Sequence, residues 1–524
     1  MGRTVARMIG RILLTLAVLA VAGFVLLVLI GLWDRYEQET AALGFSGIYE
    51  RYLAPQAGFS SDPKARAAAE AERARQGAVA REQVAPPQSF QQRPKLVGTG
   101  AVGSTNQGIS VALSADGNSA IVGGPGPNNA DRDRSPLVGP SGAAWVFTRS
   151  GGAWRQQGNK LVGTTSEYGG GLWSQGASVA LSGDGNTAIV GGPSDNKTTG
   201  AAWVFTRSGG VWTQQGNKLV GSGAYWGGEP PLPPGQGMSV ALSADGNTAI
   251  VGGWGAEAAW VFICSAGVWT QQGKLVGTGA AGRARQGASV ALSGDGNTAI
   301  VGGWSDNSKT GAAWVFTRSG GVWTQQGKKL VGTDAVGSAR QGMSVALSAD
   351  GNTAIVGGPA DNPWDRSVPF GLGAAGAAWV FTRSGGVWMQ QGNKLVSTGA
   401  VGSARQGMSV ALSADGNIAI VSGFADDGGV ASVFTRSGGH WTQDKKLLGT
   451  GAVGKSAPSI ALSADGTIVM LGESNDNGGI GAAWVFTRSG GGSDYQEPLT
   501  PSTPPPNPPS LTPSTPHIPP PNLE

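Results

Sequence analysis

Histidine and cysteine, the side chains that most often carry catalysis and metal binding, are nearly absent: the 524-residue chain has two His and one Cys. A Ser-His-Asp or Cys-His relay would have to use His440, because His517 lies in a Pro-rich tail. His440 precedes Trp441 where sister segments carry Val or Ala, so it reads as a tolerated strand substitution. Cys264 sits in a VFICS phrase whose sisters read VFTRS, and it reads as a small stand-in within a strand. The acids that remain are the Asp-Gly pairs at Asp116, Asp184, Asp245, Asp295, Asp350, Asp415 and Asp465, and the loop acids Asp131, Asp133, Asp361, Asp365, Asp426 and Asp427. For the loop acids, Asx turns are the expected role and a metal contact the rival. Carboxylates on separate loops could converge for glycan hydrolysis, the one enzymatic reading left open. The chain reads as a non-enzyme with no cofactor and no metal.

Aromatic residues offer a different chemistry. Twelve of the 18 Trp recur at fixed places in a repeated phrase and are expected in the core, and Trp33 ends an apolar run. The other five, Trp173, Trp226, Trp254, Trp304 and Trp364, fall in segments of variable length, with Tyr168, Tyr225 and Phe370 near them. Exposed aromatics suit flat sugar faces and protein hot spots. These eight are the candidate ligand-binding residues, with local loop packing as the alternative. Arg285, Arg340 and Arg405 precede successive Gln-Gly pairs and are expected either to line one end of a central channel or to be solvated.

What positions these residues is a repeat. The phrase SVALSADGNTAIVGG, then GAAWVFTRSGG, then VWTQQGNKLVG recurs with its Asp-Gly seven times. Each copy reads as four strands: SVALS, a hairpin at the Asp-Gly, TAIVGG, AAWVFTR, a Ser-Gly-Gly turn, and VWTQQGNKLVG. The third strand is apolar on both faces, as a sheet packed between two others requires. Repeats of this length made of four strands predict an all-β, seven-bladed β-propeller. The seventh copy stops before its fourth strand, while Phe90 to Gly98 upstream matches that phrase with Phe90 in place of Trp. Residues 89–98 are therefore expected to complete blade seven within a propeller spanning 89–491, which removes the open sheet edges. Antiparallel strands put the short, uniform 1–2 and 3–4 turns on one face. The long 2–3 and 4–1 loops, with all eight candidates, go to the other.

The phrases QG-x-SVALSADGNTAIVGG and GAAWVF resemble FG-GAP repeats, the unit of the integrin α-subunit propeller and of bacterial surface proteins. The resemblance covers roughly Phe90 to Gly491. It implies adhesion or ligand binding. Gln-Gly replaces the family's Phe-Gly, and Gly-Gly-Pro or Gly-Gly-Trp its Gly-Ala-Pro. The family's calcium loop is shrunk here to a short turn with one carboxylate. Calcium wants six to eight oxygens, so no calcium site is expected. A weaker resemblance, to kelch repeats, gives a propeller as well.

The flanks set location. Ile12 to Trp33 is an uncharged apolar run, about 33 Å long as a helix and enough to span a bilayer. Arg3, Arg7 and Arg11 precede it, so residues 1–11 are expected in the cytoplasm and the rest outside, 12–33 being a transmembrane anchor. Secretion after signal cleavage near Ala20-Val21-Ala22 is the alternative. Residues 34–88 read as an Ala-rich helical spacer, and 492–524 as a Pro-rich disordered tail. Net charge is +4 with no Lys/Arg block, so no nucleic-acid partner is expected. The expected function is a membrane-tethered extracytoplasmic binding or adhesion propeller, its partner a protein or glycan of the cell envelope. An envelope scaffold without a small ligand is the alternative, and a carboxylate-based glycan hydrolase a further one.

Overall fold

The computed structural model describes residues 89–101, 103–126, 142–164, 174–224, 232–362, 374–398, 403–425, 428–453 and 456–489. The expected anchor, spacer and tail lie outside these residues. No helix among the described residues is long and apolar enough to cross a membrane.

The described strands form seven four-stranded antiparallel sheets. Blade 4 is typical: Ser289–Leu292, Thr298–Gly303, Ala312–Ser319 and Val322–Gln325, paired in that order. Blade 7 has Ser459–Leu462, Ile468–Glu473 and Ala482–Ser489, and its fourth strand is Ser89–Gln92, with Phe90 opposite Arg488. Leu96 bridges Ala483 further along the same edge. The ring therefore closes through strands almost 400 positions apart in the chain.

Fourth strands differ in one respect that a single residue decides. In blade 4 the residues after Gln325 leave the ladder, and only Leu330 returns to bridge Ala313. In blade 3, where QQGKL is one residue shorter than QQGNKL, Val268–Leu275 stays paired throughout, with one bulge at Val261/Phe262. The extra Asn or Lys of blades 1, 2, 4 and 5 has no partner in the ladder and is looped out.

The core is divided among the junctions between blades. Seven apolar clusters each draw on neighbouring sheets; one joins Trp145, Phe147 and Val122 of blade 1 to Met470 and Val485 of blade 7. Successive residues of a second strand serve opposite clusters, Ile121 toward blade 2 and Val122 toward blade 7. That is why these strands are apolar at every position.

Third-strand tryptophans fix the spacing of the blades. The Trp145 ring lies so close to Gly98 that a Cβ there would stand 2.1 Å from Trp145 Cδ1, and the indole N–H donates to the Thr99 carbonyl at 2.8 Å. Five further junctions repeat this pairing: Gly163–Trp203, Gly221–Trp260, Gly277–Trp314, Gly332–Trp379 and, more loosely, Gly449–Trp484. The sixth blade has Ser397 facing Ser432 instead. The Gln of each Gln-Gly pair locks the same place. Gln341 is fully buried; its Oε1 accepts from the Gly332 N–H at 2.6 Å and its Nε2 donates to the Gly332 carbonyl at 3.1 Å. Gln107, Gln175, Gln236 and Gln286 do the same for Gly98, Gly163, Gly221 and Gly277. In this chain the Gln is an inter-blade clamp.

The expectation that twelve tryptophans lie in the core holds for six. The third-strand residues are fully buried, but the fourth-strand residues, such as Trp212 and Trp388, are half-buried on the outer strand. The outermost strand has no further strand beyond it to cover the ring. Trp212 is held instead by Arg207, 5.4 Å from its ring, and by Gln157 of the preceding blade, which accepts from the indole and from Arg207.

Candidate functional site

The two faces of the propeller are built differently. On the turn face, each Asp-Gly turn is saturated internally. Asp350 Oδ1 accepts from the Ser348 hydroxyl and the Asn352 N–H, and Oδ2 from the Asn352 side chain. Burial of the Asp350 carboxylate opposes ionisation, but these hydrogen bonds and the Arg383 charge outweigh it and hold its pKa below the ordinary value. The other six turns show the same net lowering. The turns also join one another. Ala115 N–H donates to the Gly183 carbonyl, Gly183 to Ala244, Ala244 to Gly294, Gly294 to Ala349, Ala349 to Ala414, Ala414 to Ala464, and Ala464 back to Ala115, all at 2.8–2.9 Å. Seven turns thus close a ring of backbone hydrogen bonds. Their near-identity follows from this geometry, since an insertion in any one would break two links.

On the loop face the structure describes two of the eight candidate residues, Trp254 and Trp304. Tyr168, Trp173, Tyr225, Trp226, Trp364 and Phe370 lie outside the described residues, as do Asp131, Asp133, Asp365, Asp426 and Asp427. Trp254 follows the second strand of blade 3 and Trp304 that of blade 4, and both are half-buried. Arg285 stacks over Trp254 at 4.7 Å from the ring centroid, and Arg340 over Trp304 at 5.5 Å. Arg405 stands 6.0 Å from the Phe424 ring. These arginines are not merely solvated: Arg285 and Arg340 each stand over a loop tryptophan, and Arg405 over Phe424 near the end of a second strand. All three hold left-handed φ angles, 60°, 58° and 44°, just before the clamping Gln, so the buried clamp fixes the arginine that holds the ring.

Beside the first pair, Glu257 accepts from the Gln286 N–H at 3.2 Å. Burial raises its pKa more than the backbone hydrogen bonds and the Arg285 and Arg283 charges lower it. Burial in turn lowers that of Arg285, whose Nε and Nη1 are enclosed without a hydrogen-bond partner.

Sequence reasoning missed a second recurrent device on this face. Asp195, Asp306, Asp361 and Asp476 are buried and paired with Lys218, Lys329, Lys394 and Lys95 at 2.7, 2.5, 2.6 and 2.9 Å. Asp306, Asp361 and Asp476 also accept a backbone N–H, from Ala281, Val336 and Val453 respectively. Asp361, weighed above as an Asx turn or a metal contact, is therefore an ion-pair anchor of the loop. The signal was present in the sequence as an Asp-Asn pair, preceded by Ser, Ala or Asn, matched with a Lys-Leu in the fourth strand.

His440 starts the fourth strand of blade 6 and is exposed, and Cys264 is half-buried with its Sγ 4.0 Å from Gln215 Oε1. No cluster of three His, Cys, Asp or Glu side chains suited to a metal occurs among the described residues.

A family model for the FG-GAP repeat matches residues 269–316, from the fourth strand of blade 3 through the third of blade 4. The same four-strand unit is built seven times in the ring. The matched unit is an FG-GAP repeat, set in a seven-bladed β-propeller. No curated protein matches it. Similar solved structures include a Lactobacillus plantarum protein, 16% identical, covering 66% of this chain and 86% of its own, with a TM-score of 0.43. Kuenenia stuttgartiensis hydrazine synthase is 12% identical, covers 72% and 95%, and scores 0.43. A Pseudomonas aeruginosa periplasmic gluconolactonase is 16% identical, covers 64% and 86%, and scores 0.42. Likeness at this level carries nothing about the activity of this propeller.

Proposed function

We propose that this FG-GAP propeller is a binding or adhesion module that engages a protein or glycan of the cell envelope through its variable loop face. In this reading residues 12–33 tether it to the membrane, the propeller lies outside the cytoplasm, and it performs no catalysis. One observation carries the proposal. The turn face spends its polar groups on itself, whereas the loop face holds Trp254 and Trp304 half-buried, each with a guanidinium fixed against its ring. A ring braced on one side loses little freedom when a ligand stacks on the other, which favours binding. The candidates outside the described residues, Tyr168, Trp173, Tyr225, Trp226, Trp364 and Phe370, belong to the same loop set by topology.

The test is binding of full-length protein, in detergent, to purified envelope polysaccharides and envelope proteins. Saturable binding weakened by Trp254→Ala and Trp304→Ala, with an unchanged melting temperature, supports the reading. Turnover of a glycan, or binding indifferent to both substitutions, removes it.

A further inference from the structure

An open cleft of about 590 Å³ lies on the loop face at blade 4. Its walls come from three segments: the approach to blade 4 at Ala281–Arg283, the turn Ser305–Lys309, and Ser338 on the approach to blade 5. The walls are tied together. Asn307 N–H donates to the Ala281 carbonyl at 2.9 Å, Ala281 N–H to Asp306 Oδ1 at 2.7 Å, and the Ser338 hydroxyl to the Ser308 carbonyl at 3.3 Å. Asn307, Ser308 and Lys309 hold φ angles of 45°, 56° and 72°, so three successive residues are kept left-handed and all three are exposed. Such a backbone is costly and persists only where its surroundings enforce it.

The electrostatics of the lining are one-sided. Arg283 and Lys309 supply positive charge, and Ser305, Asn307, Ser308 and Ser338 supply neutral polar groups. The one acid of the turn, Asp306, is buried away from the cleft and neutralised by Lys329 at 2.5 Å. The sister turn of blade 7 has Gly478 and Gly479 where this one has Ser308 and Lys309, so it lacks the cation.

We infer that the cleft binds an oxyanion, a sulfate or carboxylate, carried on a saccharide. An oxyanion matches the paired cations and hydroxyl donors. A saccharide is matched by the neutral polar lining and by Trp304, which adjoins Ser305. This deepens the loop-face reading and rests on it for the saccharide, while the oxyanion rests on the cleft alone.

The experiment measures binding of full-length protein to dextran sulfate, polygalacturonate and unmodified dextran. The variants are Lys309→Asn, which suits a left-handed position, Arg283→Gln, and Lys328→Asn as an exposed control outside the cleft. We expect a polyanion to bind, each cleft variant to weaken it by about tenfold, and the control to leave it nearly unchanged. Binding of only one polyanion identifies the oxyanion and supports the inference. Equal weakening by Lys328→Asn, or no polyanion binding, overturns it. If Lys309→Asn abolishes polyanion binding while Trp254→Ala and Trp304→Ala do not affect it, the cleft stands and the aromatic reading falls.

Discussion

Ser397 and Ser432 hydrogen-bond to each other, side chain to side chain, at the junction where every other blade sets a tryptophan against a glycine. Neither serine fits the general pattern alone. A side chain at Gly332 would meet Trp379 at 2.2 Å, and a tryptophan at 432 would meet the Ser397 hydroxymethyl. We therefore expect Gly332→Ser to destabilise the protein by about 1–3 kcal/mol through overpacking. Ser432→Trp alone should also destabilise it. Adding Ser397→Gly should recover that loss, with a coupling of about 1–3 kcal/mol in a double-mutant cycle by urea unfolding. Additive effects would show that the two positions do not share one space.

Glu473 gives the stability of blade 7 a pH dependence. It replaces the second Gly of the Gly-Gly phrase, is buried, and accepts from the Ser456 hydroxyl, Ser456 standing where other blades have the clamping Gln. Burial first, and the nearby Asp476 charge next, push its pKa up to about 7 from 4.5. A raised folded-state pKa means that the contribution is complete below pH 4.5 and is lost as pH rises toward 7. Melting temperature should fall across that window, and Glu473→Gln should flatten the fall. An identical slope in the variant contradicts the assignment.

The Asp-Gly turns have the opposite sign. Their lowered pKa values give stability that is present above pH 3.8 and is lost as pH falls through the lowered values. Asp350→Ala should cost about 1–3 kcal/mol by leaving the buried Ser348 and the turn amide without their acceptor. Since both carboxylate oxygens are already engaged, thermal melts in chelator and in calcium should coincide. A large calcium-dependent rise would show that other loop acids build a site.

The tryptophans should separate by location. Trp203→Ala empties a fully buried junction and should cost about 3–5 kcal/mol. Trp304→Ala removes a half-buried ring and should cost under about 1 kcal/mol. Comparable losses by chemical denaturation would make Trp304 a packing residue.

The repeat made the blades legible. Each phrase carries its own turn signals, and the missing fourth strand of copy seven pointed to Phe90. Burial of both strand faces was equally visible, because an apolar residue at every position leaves no solvent side. What crosses between blades was hidden. Gln341 clamps Gly332 across the connection from one blade to the next, and nothing in its own phrase distinguishes it from a solvated Gln. The stacking of Arg340 on Trp304 joins segments of adjacent blades, and the sequence showed the arginine only as channel-lining or solvated. The best unused signal was the pair of departures at Ser397 and Ser432. In a chain that repeats itself, two changes in one junction report a contact.

The division of labour between the faces is tested most directly by hydroxyl-radical footprinting of the full-length protein, free and saturated with an envelope polysaccharide that it binds. The account predicts protection at Trp254 and Trp304, with the outer-strand tryptophans Trp212 and Trp388 oxidised equally in both samples. Protection confined to the outer strands or to the Arg-Ser-Gly-Gly turns, with Trp254 and Trp304 unchanged, would contradict it.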